Sequence, residues 1–272
     1  HALLLVWGGE RGMALMHGWL GAGLQPTQIM VQEPSPSDDL LASGVTLNPT
    51  PEQLDENAPD IIVLAVKPQM VEAVLPSLAN NLRGGALVLS LMAGVQIKTM
   101  TKLLGEAASY VRTMPNTPAA IGKGMTGLYA DGQASEAQKA AAAGLLGAVG
   151  QTVWLDSEKM IDAVTAISGS GPAYVFHLVE AMQAAGISLG LPEEMSRDLA
   201  MQTIIGAAAM LEEEGADAVQ LRRNVTSPGG TTAAALDVLM AENGLADLMR
   251  CAAHAAADRA QELAQIGADE AD

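Results

Sequence analysis

The rhythm of apolar and polar positions changes once along the chain. ALLLVW (2–7), QIMVQ (28–32), DIIVLAV (60–66), ALVLSLM (86–92) and SYVRTM (109–114) are short, nearly continuous apolar runs. Helical patterns lie between them, over 12–22 and in MVEAVLPSL (70–78). Apolar strands alternating with helices predict a parallel sheet covered on both faces. MTGLYA (125–130), a helix over 135–148 and TVWL (152–155) complete this half. From Ser157 onward the pattern is helical throughout, in MIDAVTAI, PAYVFHLVEAMQAAG, EEMSRDLAMQTIIGAAAMLEEEG and LADLMRCAAHAAADRAQELAQ. The chain therefore divides near Asp156, into an α/β domain over 1–156 and an all-α domain over 157–272. Several of the later helices are apolar nearly all round, which marks them as buried. One domain of this size hardly buries them all, so an intertwined dimer is expected.

Composition narrows the function. Hydrophobic residues make up 49% and charged residues 17%, as in a folded protein. The net charge is −17 with 14 basic residues, which argues against nucleic acid and anionic membrane as partners. An anionic small-molecule substrate then needs local backbone donors or one well-placed cation. Cys251 is the only cysteine, so no disulfide forms within the chain, and a reducing, cytoplasmic setting is expected. The uncharged run 163–179 is short and broken by SGSGP, unlike a membrane span. HALLLVWGG has neither a basic leader region nor a cleavage site, so no signal peptide is read, and His1 suggests a trimmed or altered end.

The first strand runs into VWGGERGMAL. A dinucleotide fingerprint wants G-x-G-x-x-G between the first strand and its helix. Gly9 and Gly12 fit its second and third glycines, and Trp7 stands where the first belongs. The turn fits a phosphate-binding loop or a plain tight turn. Glu33, at the end of the second strand, fits an acid for the adenosine ribose hydroxyls of NAD, or an ordinary strand end. Ser35 and Ser37 follow it, and no Lys or Arg occurs between Arg11 and Lys67. This local charge favours NADH. AVKPQ (65–69) follows the strongest strand; loops at the carboxyl ends of parallel strands carry ligands, so Ala65, Lys67 and Pro68 are cofactor candidates. In MPNTP (114–118) Asn116 and Thr117 lie between two prolines, held rigidly enough to position a ring.

VTSPGGTT (225–232), directly before the helical AAALDVL, is the most distinctive stretch. It fits a capped helix start after a turn, or an anion-binding loop built from backbone N–H groups.

GGERGMAL, LAVKPQ, RTMPNTPAAIGKGMTGLYA, DAVTAISGSGPAYVF and NVTSPGGTTAAALDVL together resemble the pyrroline-5-carboxylate reductase family, in order over roughly residues 3–264. The resemblance implies a Rossmann-type N-terminal domain followed by an all-α C-terminal dimerisation domain. It implies reduction of 1-pyrroline-5-carboxylate to L-proline by NADPH or NADH, the last step of proline synthesis. Thr232 is implied near the imine nitrogen as donor or proton relay. The amides of Ser227, Gly229, Gly230 and Thr231 are candidates for the substrate carboxylate, and Ser168 is a candidate site-lining residue. In the family the SPGGTT loop of one subunit works beside a Rossmann site completed at a dimer interface. A homodimer, or a higher assembly such as a decamer of dimers, is implied. Trp7 and Arg11 depart from the family's glycine loop. Family habit favours NADPH.

Two other readings compete with this one. A β-hydroxyacid dehydrogenase needs a catalytic lysine in the helical half, but the last lysine is Lys159. A non-catalytic nucleotide-binding relative is motivated by Trp7 alone. His177 lies mid-helix and reads as core or interface, and no Cys/His cluster suggests a metal.

Overall fold

The computed structural model describes residues 2–6 and 9–269. The chain forms two compact units, one of residues 1–170 with 256–272 and one of residues 171–255.

The first unit is built on an eight-stranded sheet: β1 (Leu3–Val6), β2 (Ile29–Gln32), β3 (Thr46–Leu47), β4 (Ile61–Leu64), β5 (Leu87–Ser90), β6 (Ser109–Met114), β7 (Gly124–Ala130) and β8 (Gly150–Trp154). The spatial order is β3-β2-β1-β4-β5-β6-β7-β8. Its helices are α1 (Gly9–Gly21), α2 (Asp38–Ala42), α3 (Pro51–Glu56), α4 (Val71–Leu78), α5 (Ile97–Leu104), α6 (Glu136–Gly147) and α7 (Met160–Val164). Strand side chains alternate between faces. Leu3 and Leu5 of β1 join one core with Leu15, Met16 and Trp19 of α1 and Leu146 of α6. Leu4 and Val6 join the other, with Val71, Leu75 and Leu78 of α4 and Met100 of α5. Trp19 Nε1 donates to the Leu145 carbonyl at 2.8 Å, so the largest buried side chain of α1 also satisfies its polar atom.

The sheet departs from the expected all-parallel arrangement at one place. β6 and β7 pair antiparallel, with Val111 opposite Ala130. Residues 115–123 between them hold one short 3₁₀ turn (Thr117–Ile121). That connection is too short for the crossover that a parallel pair requires. The remaining strand pairs are parallel. The chain reverses its direction of growth between β1 and β4, which creates a crevice at the strands' carboxyl ends, the Rossmann-type switch point.

The change of sequence rhythm at Asp156 coincides with the end of β8, but the compact unit continues to Ser170. α7 and a π-helical turn (Thr165–Gly169) pack on the sheet and belong with it.

The second unit contains α8 (Gly171–Ser188), α9 (Glu193–Leu211), α10 (Ala218–Asn224), α11 (Thr231–Leu239) and the beginning of α12 (Leu245–Asp269). α8 and α9 are antiparallel neighbours joined by a tight turn at Gly190, φ +95°. Ser196 Oγ of α9 donates to the Gln183 carbonyl of α8 at 2.7 Å. Many large apolar side chains of this unit are bare in the single chain, including Phe176 (64% exposed), Leu189 (84%) and Val238 (72%). Apolar surface on this scale marks an interaction face.

Candidate active site

The cofactor end of the first unit begins at α1. Gly9 opens this helix at φ +41°, a conformation that favours glycine. Among the described residues, no atom lies within 4 Å of the position its Cβ would take. Gly12 is buried one turn later. Trp7, the departure in the glycine loop, lies outside the described residues. Arg11 reaches across to the carboxyl end of β5, where its Nη1 donates to the Leu91 carbonyl at 3.4 Å. Glu33 follows β2, and its Oε1 accepts the Ser35 N–H at 3.1 Å. Ala65 extends the β4 ladder by donating its N–H to the Val6 carbonyl at 3.0 Å. Lys67 and Pro68 are exposed and start a 3₁₀ turn at the same edge. The structure thus gathers Gly9, Gly12, Glu33, Ser35, Ala65, Lys67 and Pro68 along the carboxyl edges of β1, β2 and β4. This arrangement fits a dinucleotide: a helix N-terminus for the pyrophosphate and flanking strand ends for the two halves.

Beside it lies a cavity of about 390 Å³, lined by Gln69, Ala93, Gly94, Arg112, Asp162 and Thr165 among others. Gly94 adopts φ +75°, and a Cβ there would touch the backbone of Leu263 and Ala264 at 3.4–3.5 Å. Asn116 is gripped from both ends. Its Nδ2 donates to the Ser168 carbonyl at 3.1 Å, and its Oδ1 accepts the Met125 N–H at 2.9 Å. Ser168 Oγ points towards the Met125 carbonyl at 3.5 Å, a long contact. Asn116 and Ser168 therefore brace one another across the π-helical turn, a feature frequent at functional sites.

Sequence reading passed over Arg112. It is 4% exposed in the middle of β6. Its Nη1 pairs with Glu158 Oε1 at 3.1 Å, and that same oxygen accepts the Ile97 N–H at the start of α5 at 2.9 Å. Arg112 Nε has no hydrogen-bond partner among the described residues. The available signal was SYVRTM itself: an arginine inside an otherwise buried strand demands an acidic partner. Burial pushes the Asp162 carboxyl above its ordinary range, Arg112 pulls it back, and Glu158 adds to the rise. A carboxyl raised in the fold contributes stability that is complete below its unfolded value of 3.8 and is lost as pH rises through its folded value. Asp162→Asn is therefore expected to raise the melting temperature at neutral pH. The gain should shrink as pH approaches 4, as calorimetry at several pH values will show; a gain independent of pH would contradict this assignment.

The second candidate stretch lies in the other unit. Gly229 has φ +70° and lets the chain turn into α11. The Gly230 N–H closes that turn onto the Ser227 carbonyl at 3.0 Å, so this amide is committed within the loop. The Ala234 N–H makes the first intrahelical bond, to Gly230 O at 3.2 Å, and no side chain among the described residues caps the helix. The amides of Thr231, Thr232 and Ala233 are thus left at the positive end of α11. Ser227, Gly229 and Thr231 are exposed, and Thr232 is half-buried. Thr101, Thr165, Thr203 and Thr226 each donate a hydroxyl to the carbonyl four residues earlier. At Thr232 that carbonyl belongs to Pro228 in the loop, and the hydroxyl has no partner among the described residues. The loop presents backbone donors and the hydroxyls of Ser227, Thr231 and Thr232, with no competing carboxylate in 225–232.

Comparison with known proteins fits both halves. Residues 158–263 match the family model described as pyrroline-5-carboxylate reductase dimerisation, and residues 5–94 match that of NADP oxidoreductase, coenzyme F420-dependent. A pyrroline-5-carboxylate reductase of Pseudomonas aeruginosa is 42% identical over 259 residues, covering 94% of each chain. The chain belongs to the pyrroline-5-carboxylate reductase family. The solved reductase of Coxiella burnetii is 39% identical, with a TM-score of 0.89, over 96% of this chain and 97% of that one. The pyrroline carboxylate reductase of Plasmodium falciparum, solved with NADP bound, is 30% identical with a TM-score of 0.80, over 97% and 98%. The family is one of oxidoreductases that use a nicotinamide cofactor, and the match to a dimerisation model agrees with the bare apolar helices in assigning self-association. Among the described residues, no helix is long and apolar enough to cross a membrane.

Proposed function

We propose that the chain reduces 1-pyrroline-5-carboxylate to L-proline with NADH or NADPH. The observation that carries this reading is the start of α11, which has neither a side-chain cap nor a partner for the Thr232 hydroxyl among the described residues. The substrate is a small cyclic imine bearing one carboxylate. The amides of Gly229 and Thr231 hold the carboxylate, assisted by the helix dipole, while Ser227 and the committed Gly230 amide shape the turn. The Thr232 hydroxyl hydrogen-bonds the ring nitrogen and makes the imine carbon more electrophilic. When bound, the reduced nicotinamide supplies a hydride, two electrons with one proton, to that carbon. The nitrogen takes one proton from solvent through Thr232, so the C=N bond becomes C–N and N–H. No strong base is required of the protein.

Gly9, Gly12, Lys67 and Pro68 hold the cofactor's pyrophosphate and nearby ribose, and Glu33 and Ser35 its adenosine ribose. Asn116 and Ser168 keep the loop after β6 in place for the nicotinamide. The bare faces of α8, α9 and α11 pair with a second copy to form a homodimer. A net charge of −17 and a single cysteine support a reading in which the protein works in the cytoplasm without nucleic acid or membrane partners. Adding 1-pyrroline-5-carboxylate to the protein with NADH or NADPH is expected to bleach the reduced cofactor's absorbance. Absence of bleaching with both cofactors, from folded protein, would overturn the reading.

A further inference from the structure

β2 and β3 end in a closed pair of hydrogen bonds. The Glu33 N–H donates to Asn48 Oδ1 at 2.9 Å, and Asn48 Nδ2 donates to the Glu33 carbonyl at 3.0 Å. The Asn48 N–H is anchored to the Val31 carbonyl at 2.8 Å. Asn48 does this at φ +46°, in the left-handed region where glycine would be less strained. Glycine would lack the side-chain amide that clamps Glu33. The clamped residue in turn places its carboxylate on the Ser35 N–H at 3.1 Å.

This loop follows the second strand of a doubly wound sheet, where the adenosine ribose of a dinucleotide lies. A 2′-phosphate there needs donors and positive charge. The Ser35 amide is already covered by Glu33. Ser37 Oγ accepts the Leu40 N–H at 3.3 Å as the cap of α2. Asp38 and Asp39 follow in the first turn, and the neighbouring His17 is paired with Asp39 at 2.8 Å. A free ribose diol, in contrast, donates two hydroxyls to a carboxylate.

Resting on the proposed cofactor end, we infer that Asn48 is a positioning residue for nucleotide choice: it fixes Glu33 over the Ser35 amide, so that the chain selects NADH over NADPH. The test uses the full chain and calorimetric binding of two probes, ADP-ribose and its 2′-phosphate, beside kcat/KM for both cofactors. Wild type is expected to bind ADP-ribose the more tightly. Asn48→Gly, which keeps the backbone conformation and removes the clamp, should move the ratio towards the 2′-phosphate by about tenfold, a change of about 1.4 kcal/mol. Glu33→Gln should move it in the same direction. Asn48→Ala serves as the second variant. Tighter binding of the 2′-phosphate by wild type overturns the inference. So does an equal loss of both probes in the Asn48 variants, which is what a structural role alone would give. A shift with Glu33→Gln but not with Asn48→Gly removes Asn48 and leaves the cofactor end standing. Failure of wild type to bind either probe refutes the cofactor end itself.

Discussion

Thr232→Ala is expected to lower kcat about a hundredfold, the lower end of what a positioned proton donor contributes. Alanine removes the hydroxyl while keeping the start of α11, because the turn before it is held by backbone: Gly230 N–H on Ser227 O, with Gly229 at φ +70°. Affinity for the nicotinamide cofactor should be unchanged, since the substitution leaves the residues proposed to hold it intact. Thr232→Ser should recover most of the loss, and Thr232→Val, which keeps the shape without the hydroxyl, should not. Steady-state kinetics beside cofactor titration separate these effects. An alanine variant with unchanged kcat would remove Thr232 from the mechanism.

Arg112→Met is expected to cost about 3 kcal/mol of stability, the scale set by breaking a buried ion pair from one side. Glu158 would keep only the Ile97 N–H, and its side chain is 27% exposed, too little for water to compensate fully. The loss should appear in urea denaturation as an earlier midpoint. Arg112→Lys should recover only part of it, because an ammonium lacks the planar fork of the guanidinium. β6 leads directly into Asn116, so KM for the cofactor should rise as well. A midpoint equal to wild type would show that the pair contributes no net stability.

The strands with continuous apolar runs were legible because burial on both faces leaves no polar position to confuse them; β1, β4 and β5 are buried throughout. The elements that escaped are short or locally determined. β3 has two residues, too few for any periodicity. α3 is six residues set by a capping box between Thr50 and Gln53 with Pro51 at its start, a local signature without hydrophobic periodicity. α5, in IKTMTKLL, carries an apolar stripe of Ile97, Met100 and Leu104 that two lysines and two threonines interrupt. The antiparallel β6–β7 pair follows from the length of a connection, which a strand pattern alone does not reveal.

Among the proposed site residues, the glycines stand out in the sequence, and backbone geometry favours glycine at two of them: Gly9 and Gly229 occupy positive φ, whereas Gly230 is at φ −82°. The partners of Arg112, Glu158 and Asn48 were not visible, since they lie 15 to 61 residues away in sequence. The use of the Gly230 amide inside its own turn was likewise beyond sequence reading.

The most direct test of the account is isotopic. The protein would be given 1-pyrroline-5-carboxylate and nicotinamide cofactor carrying deuterium at the transferable C4 position, and the product examined by NMR and mass spectrometry. The account predicts L-proline with one deuterium at C5, the former imine carbon. Proline without deuterium at C5, or oxidation of the cofactor without proline, would contradict it.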